Sequence, residues 1–161
     1  ILGVKCEVKT MRNQRCCCCR PVVQDTMPRC GVEVVLDSDV YCTKVCNTVT
    51  FTATVVNNSG MALNCCALDL NVNPSLCINP ETITLNGTAV ENANPNYVNI
   101  GTVEAGGTAV VTFQATVMEC RRYIRSKVLC SFMVCCCLEP RCMNVPSNID
   151  CIQVCCCCCN G

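Results

Sequence analysis

Cysteine is the residue in this chain best equipped to do chemistry, and it comes in runs. "RCCCCRP" places Cys16, Cys17, Cys18 and Cys19 side by side, "VCCCLEP" holds Cys135, Cys136 and Cys137, and "QVCCCCCNG" holds Cys155, Cys156, Cys157, Cys158 and Cys159. Cys6, Cys142 and Cys151 lie near those runs. Cys30, Cys42, Cys46, Cys65, Cys66, Cys77, Cys120 and Cys130 are spread between them. Consecutive Cα atoms are about 3.8 Å apart, short of the roughly 4.4–6.8 Å that a disulfide spans, so members of a run bond elsewhere than to each other. In an extended strand successive side chains point to opposite faces. Cys16 and Cys18 then face one way and Cys17 and Cys19 the other, and a single strand can be bonded on two sides. The total of 23 cysteines is odd, so they cannot all pair within one chain.

Three chemistries compete for these thiols. Intermolecular disulfides are expected of Cys6, Cys16–Cys19, Cys135–Cys137, Cys142, Cys151 and Cys155–Cys159, because chain ends lie at the surface and reach neighbours. Intrachain disulfides or plain core positions are expected of Cys30, Cys42, Cys46, Cys65, Cys66, Cys77, Cys120 and Cys130. In that group Cys42 and Cys46 flank "CTKVC" and are placed to staple it, and Cys130 sits on an inward face. The alternative is thiolate metal binding and sequestration. Cys16 and Cys19 have zinc spacing, but any run of four contains it, and no turn residues separate ligand pairs as they do in zinc ribbons.

Other chemistries lack their residues. The chain has no His, which removes Ser–His and Cys–His nucleophile pairs, and the reading is of a protein that is not an enzyme and carries no cofactor. Twelve basic and 12 acidic residues give a net charge of zero, without the basic face of a nucleic-acid binder. A chain without net charge also lacks the self-repulsion that keeps proteins apart. No stretch approaches about 18 consecutive apolar residues, so no membrane-spanning helix is expected. "CRRYIR" reads as a solvated strand end rather than a phosphate site. The first residues, "ILGVKCEVKT", lack an initiator Met, as expected of a processed product or a fragment.

The elements that position the cysteines divide by composition: a cysteine-rich connector over 1–30, a β domain over 31–134 and a cysteine-rich tail over 135–161. In "TVTFTATVVN", Val49, Phe51, Ala53 and Val55 alternate with threonines, and "TAVVTFQATV" repeats the pattern with Ala109, Val111, Phe113, Ala115 and Val117. That period of two marks strands with one apolar face. "GVEVVLDS" contributes Val32, Val34 and Leu36, and "YIRSKVLCSFMV" reads as one strand with Ile124, Val128, Cys130, Phe132 and Val134 facing inward. "ALDLNV", "ETITLNG" and "YVNIGTV" are shorter strands. Turn signals recur about every 8–12 residues, the rhythm of a β-sandwich.

The middle of the chain resembles a conserved surface-repeat domain, domain of unknown function eleven. The resemblance rests on "VTFTATVVNNSGMALNCCALDLNV", "ITLNGTAV" and "VNIGTVEAGGTAVVTFQATV" in that order. The chain departs from the pattern at "SKV" (Ser126–Val128) and at Cys65–Cys66. The resemblance implies an immunoglobulin-like antiparallel β-sandwich of extracellular bacterial or archaeal proteins with no known catalytic activity. The cysteine-rich ends are similar to those of spore-surface and endospore-appendage proteins. Together these lead to the expectation of a structural subunit, located outside the cell on a spore or cell surface. It assembles head-to-tail with copies of itself into a disulfide-crosslinked filament or layer. The segment "GVKCEVKTM" is expected to extend as a strand to a neighbouring subunit. An adhesive module is the third reading, without an exposed aromatic cluster to support it.

Overall fold

Alternating β-branched and apolar residues build a chain of strands, and no helix occurs among the described residues. A computed structural model describes residues 4–11, 14–21, 31–134 and 141–156. The strands are β1 (Val4–Met11), β2 (Gln14–Pro21), β3 (Val32–Ser38), β4 (Cys42–Thr43), β5 (Thr48–Asn57), β6 (Leu63–Asp69) and β7 (Leu76–Leu85). They continue as β8 (Thr88–Ala89), β9 (Val98–Val103), β10 (Thr108–Val117), β11 (Tyr123–Ser126), β12 (Leu129–Val134), β13 (Arg141–Pro146) and β14 (Asp150–Val154).

Two sheets face each other, one ordered β3-β5-β10-β7-β8 and the other β13-β12-β6-β9. Taking β3, β5, β6, β7, β10, β12 and β13 as strands A to G, the first sheet holds A-B-E-D and the second G-F-C. That is the constant-type immunoglobulin arrangement. Strand β9 is an addition on the outer side of β6, and β8 a short one beside β7. The β7–β8 hairpin turns on Asn86 and Gly87, both at positive φ, between the register partners Leu85 and Thr88. A two-residue Asn-Gly loop of this kind matches the twist of the strands it joins.

The inward residues of both sheets form one core. Val32, Val34, Val49, Phe51, Ala53, Val55, Leu68, Val111, Phe113 and Cys130 are fully buried. Phe51 and Phe113 are register partners on β5 and β10, and their rings stack with centroids 5.2 Å apart. Asn57 ends β5 with no exposed surface and donates from its amide to the carbonyls of Met61, Val103 and Glu104. Its Oδ1 accepts from the backbone N–H and the hydroxyl of Ser59, which holds the "NNSG" turn.

Two boundaries differ from the sequence reading. The sandwich does not stop at 134, and residues 141–154 are not a tail: β13 pairs with β12 along its whole length, and β14 pairs with β11 and β4. Val145, Ile152 and Val154 are buried in the common core. Asn148, between these strands, accepts from the Leu36 N–H at 2.7 Å and donates to the Leu36 carbonyl at 3.0 Å, which ties the loop to the edge strand β3. "YIRSKVLCSFMV" is also two strands rather than one. Ser147 captures the Val128 N–H through its hydroxyl and donates its own N–H to the Val128 carbonyl, which breaks the run between β11 and β12.

The segment "GVKCEVKTM" does not extend alone. Strand β1 folds back on β2 as an antiparallel hairpin, with Cys6 opposite Cys19, Val8 opposite Cys17 and Lys9 opposite Cys16. The eight residues of each strand span about 27 Å at about 3.4 Å per residue, which is the length of the hairpin.

Candidate thiol and disulfide sites

The cysteines divide by what their strands do with them. Cys120 and Cys156 form a disulfide with Cα atoms 5.7 Å apart, inside the usual span. The bond links the turn after β10 to the residues following β14. Beside it, β14 runs parallel to β4, with Gln153 opposite Cys42 and Val154 opposite Thr43, and the Cys155 N–H donates to the Thr43 carbonyl. That register brings the sulfurs of Cys42 and Cys155 to 2.6 Å. Cys151 lies half-buried on β14, opposite Arg125 of β11.

A second pair sits in the core. Cys66 on β6 and Cys130 on β12 have no exposed surface, and their sulfurs are 3.4 Å apart. The adjacent Cys65 has φ of 50° and is exposed. Between the partners Ser131–Ala67 and Met133–Asn64, β12 contributes only Phe132 while β6 contributes Cys65 and Cys66. This is a β-bulge, in which Cys65 faces outward and Cys66 inward. The hydrogen bond with Cys66 and the burial of the site both push the Cys130 thiol well above its ordinary pKa, so it stays protonated.

Among the described residues, Cys46, Cys65, Cys77 and Cys142 are exposed and unbonded. Cys77 lies on β7 opposite Thr116, on the outer face of the five-stranded sheet. Cys142 lies on β13 opposite Met133, on the outer face of the four-stranded sheet, the side to which Cys65 also turns. Thiols therefore stand on both outer faces of the sandwich.

Several positions differ from the expected grouping. Cys42 and Cys46 do not staple their turn: Cys46 has φ of 70° and points to solvent, while Cys42 is buried against Cys155. Cys65 and Cys77, grouped with the intrachain or core cysteines, are surface thiols. Cys156, grouped with the intermolecular ones, is bonded within the chain because β14 carries it back to Cys120. Cys6 and Cys16–Cys19 belong to the β1–β2 hairpin, and Cys30, Cys135–Cys137 and Cys157–Cys159 lie outside the described residues. The signal that could have revealed β14 is the alternation of Asp150, Ile152 and Val154 with Cys151 and Gln153.

The charged groups beside Cys120 satisfy one another. Arg121 Nε donates to the Glu119 carboxylate at 2.9 Å and the Ser75 hydroxyl donates to it at 3.1 Å. These bonds hold the Glu119 carboxyl below the ordinary range. Arg122 lies over the Tyr123 ring, 5.4 Å from its centroid. Among the described residues no group of three His, Cys, Asp or Glu side chains is placed to hold a metal ion.

Fold and thiol placement define an immunoglobulin-like antiparallel β-sandwich with intrachain cysteine pairs and surface thiols. No family model matches the sequence, and no curated protein matches it. Among solved structures, the bacterial hydrophobin BslA is similar over 74% of this chain and 94% of its own, at 10% identity and a TM-score of 0.52. At that identity the likeness is one of fold. A GH20 exo-β-N-acetylglucosaminidase from Vibrio harveyi is similar over 78% of this chain, at 17% identity and a TM-score of 0.47, and the chain spans 18% of that enzyme's length. The CARDB domain of a Pyrococcus furiosus protein is similar over 77% of this chain and 94% of its own, at 12% identity and a TM-score of 0.45.

Proposed function

We propose that this protein is a non-enzymatic structural subunit that joins copies of itself, outside the cell, into a fibre or layer held by intermolecular disulfides. The observation that carries the reading is the set of unbonded thiols on opposite outer faces of a folded sandwich, Cys77 on one and Cys65 and Cys142 on the other. A unit with a bonding group on two sides can be linked in two directions and can grow, whereas a unit with one can only dimerise. The odd cysteine total adds to this, since at least one thiol has no partner of its own chain. The Cys120–Cys156 disulfide fits an oxidising exterior, where such bonds persist. The β1–β2 hairpin, with Cys6 and the Cys16–Cys19 run, is the element offered to a neighbour, and head-to-tail contacts of this kind grow open filaments. A spore or cell surface is the proposed location.

The test is electrophoresis of the oxidised full chain after boiling in detergent. The expected result is a ladder of multimers that collapses to monomer when reductant is added. Monomer alone without reductant overturns the reading.

A further inference from the structure

The two sulfurs in the core are poised for a bond. Cys66 and Cys130 lie on neighbouring strands of one sheet, face the same interior and have their sulfurs 3.4 Å apart. A sulfur–sulfur bond is about 2.05 Å long, so the remaining gap is about 1.4 Å, a distance that side-chain rotation and a small strand adjustment cover. Cys66 is two residues from Leu68, the register partner of Cys130, so strand alternation sets it on the same inward face as Cys130. We infer that Cys66 and Cys130 form a disulfide that staples β6 to β12 when the chain folds under oxidising conditions. In the strand lettering used above it joins C to F within one sheet, whereas antibody domains bridge B to F between sheets. The inference goes beyond the assembly reading and is independent of it.

The chemistry is a two-step exchange with a low-molecular-weight disulfide. One cysteine thiolate attacks that disulfide, forming a mixed disulfide and releasing one small thiol, which takes up a proton. The second cysteine thiolate then attacks the protein-side sulfur, forming the Cys66–Cys130 bond and releasing the second small thiol. Two protein thiols are oxidised and one small disulfide is reduced to two thiols. Exchange requires thiolate and access. Both sulfurs are fully enclosed in the folded sandwich and Cys130 is held protonated, so the bond forms while β12 is still docking on β6.

The experiment refolds the reduced full chain in a mixture of oxidised and reduced glutathione. Free thiols are then blocked with an alkylating agent under acid denaturation, and peptides are mapped by mass spectrometry. The expected result is a peptide pair joined through Cys66 and Cys130. Recovery of both residues carrying the alkyl label, or of Cys130 joined to Cys65 or any other cysteine, overturns the inference. A second measurement compares unfolding midpoints with and without reductant. Cys66→Ala and Cys130→Ala should each shrink the oxidation-dependent rise in midpoint, while Cys65→Ala should retain it in full. An equal rise in all three variants counts against the staple.

Discussion

Phe113 shows how much one residue holds in this core. Its ring has no exposed surface, stacks on Phe51 and fills the space between the two sheets. Only three Phe and no Trp are present in the chain, so few other side chains of that size share the load. Replacing a buried Phe by Ala costs about 3–5 kcal/mol in transfer and cavity energy. Phe113→Ala should lower stability by about that amount in urea unfolding under reductant, where cysteine crosslinks do not contribute. Thr50→Ala, on the outer face of β5, is the comparison and should change stability by less than about 0.5 kcal/mol. The cysteines follow the same division between inside and outside. Cys130 and Cys66 behave as apolar core residues in the folded sheet, and Cys77 and Cys142 as surface groups.

At the scale of elements, β13 and β14 decide where the domain ends. Strand β13 covers the edge of β12 along six register pairs, and β14 contributes Ile152 and Val154 to the core. Without them the backbone edge of β12 would be open and the apolar side chains of Ile124 and Val128 would lose their cover. A chain ending at 140 should therefore fail to fold cooperatively, seen as loss of a sigmoidal urea transition by circular dichroism. A retained transition with a similar midpoint would restore the boundary at 134. The opposite edge of that sheet, β9, pairs among the described residues with β6 and leaves its other side open.

For the whole molecule, the hairpin and the sandwich are expected to have separable roles. The β1–β2 pair is its own two-stranded sheet, and such a hairpin alone is marginally stable in water. The sandwich has a core built from β3 onward and does not draw on β1 or β2 for its two main sheets. Deleting residues 1–21 should leave the unfolding midpoint of the reduced protein within the error of the intact chain. Under oxidation the truncated protein should form only short species by electron microscopy, where the intact chain is expected to form long assemblies. Assemblies of unchanged length and diameter from the truncated chain would place the contact on the sandwich faces, at Cys65, Cys77 and Cys142.

The strands β5 and β10 were legible because alternation is local. Val49, Phe51, Ala53 and Val55 must share a face in any extended chain, and burial of that face selects the strand. The same reasoning reached Val32, Val34 and Leu36 on β3. It did not reach β13, where "RCMNVP" directs Met143 and Val145 inward and looks like part of a cysteine tail. Nor did it reach the doubling back of β1 on β2, which depends on register between two segments rather than on the pattern of either. The thiol partners were least legible of all. Cys120 meets Cys156 across 36 residues, and Cys42 meets Cys155 across 113, only because β14 packs beside β4 and β11. Which face a residue takes follows from backbone geometry and its immediate neighbours. Which cysteines meet follows from the order of strands in a sheet, and that order is decided by the packing of the whole core.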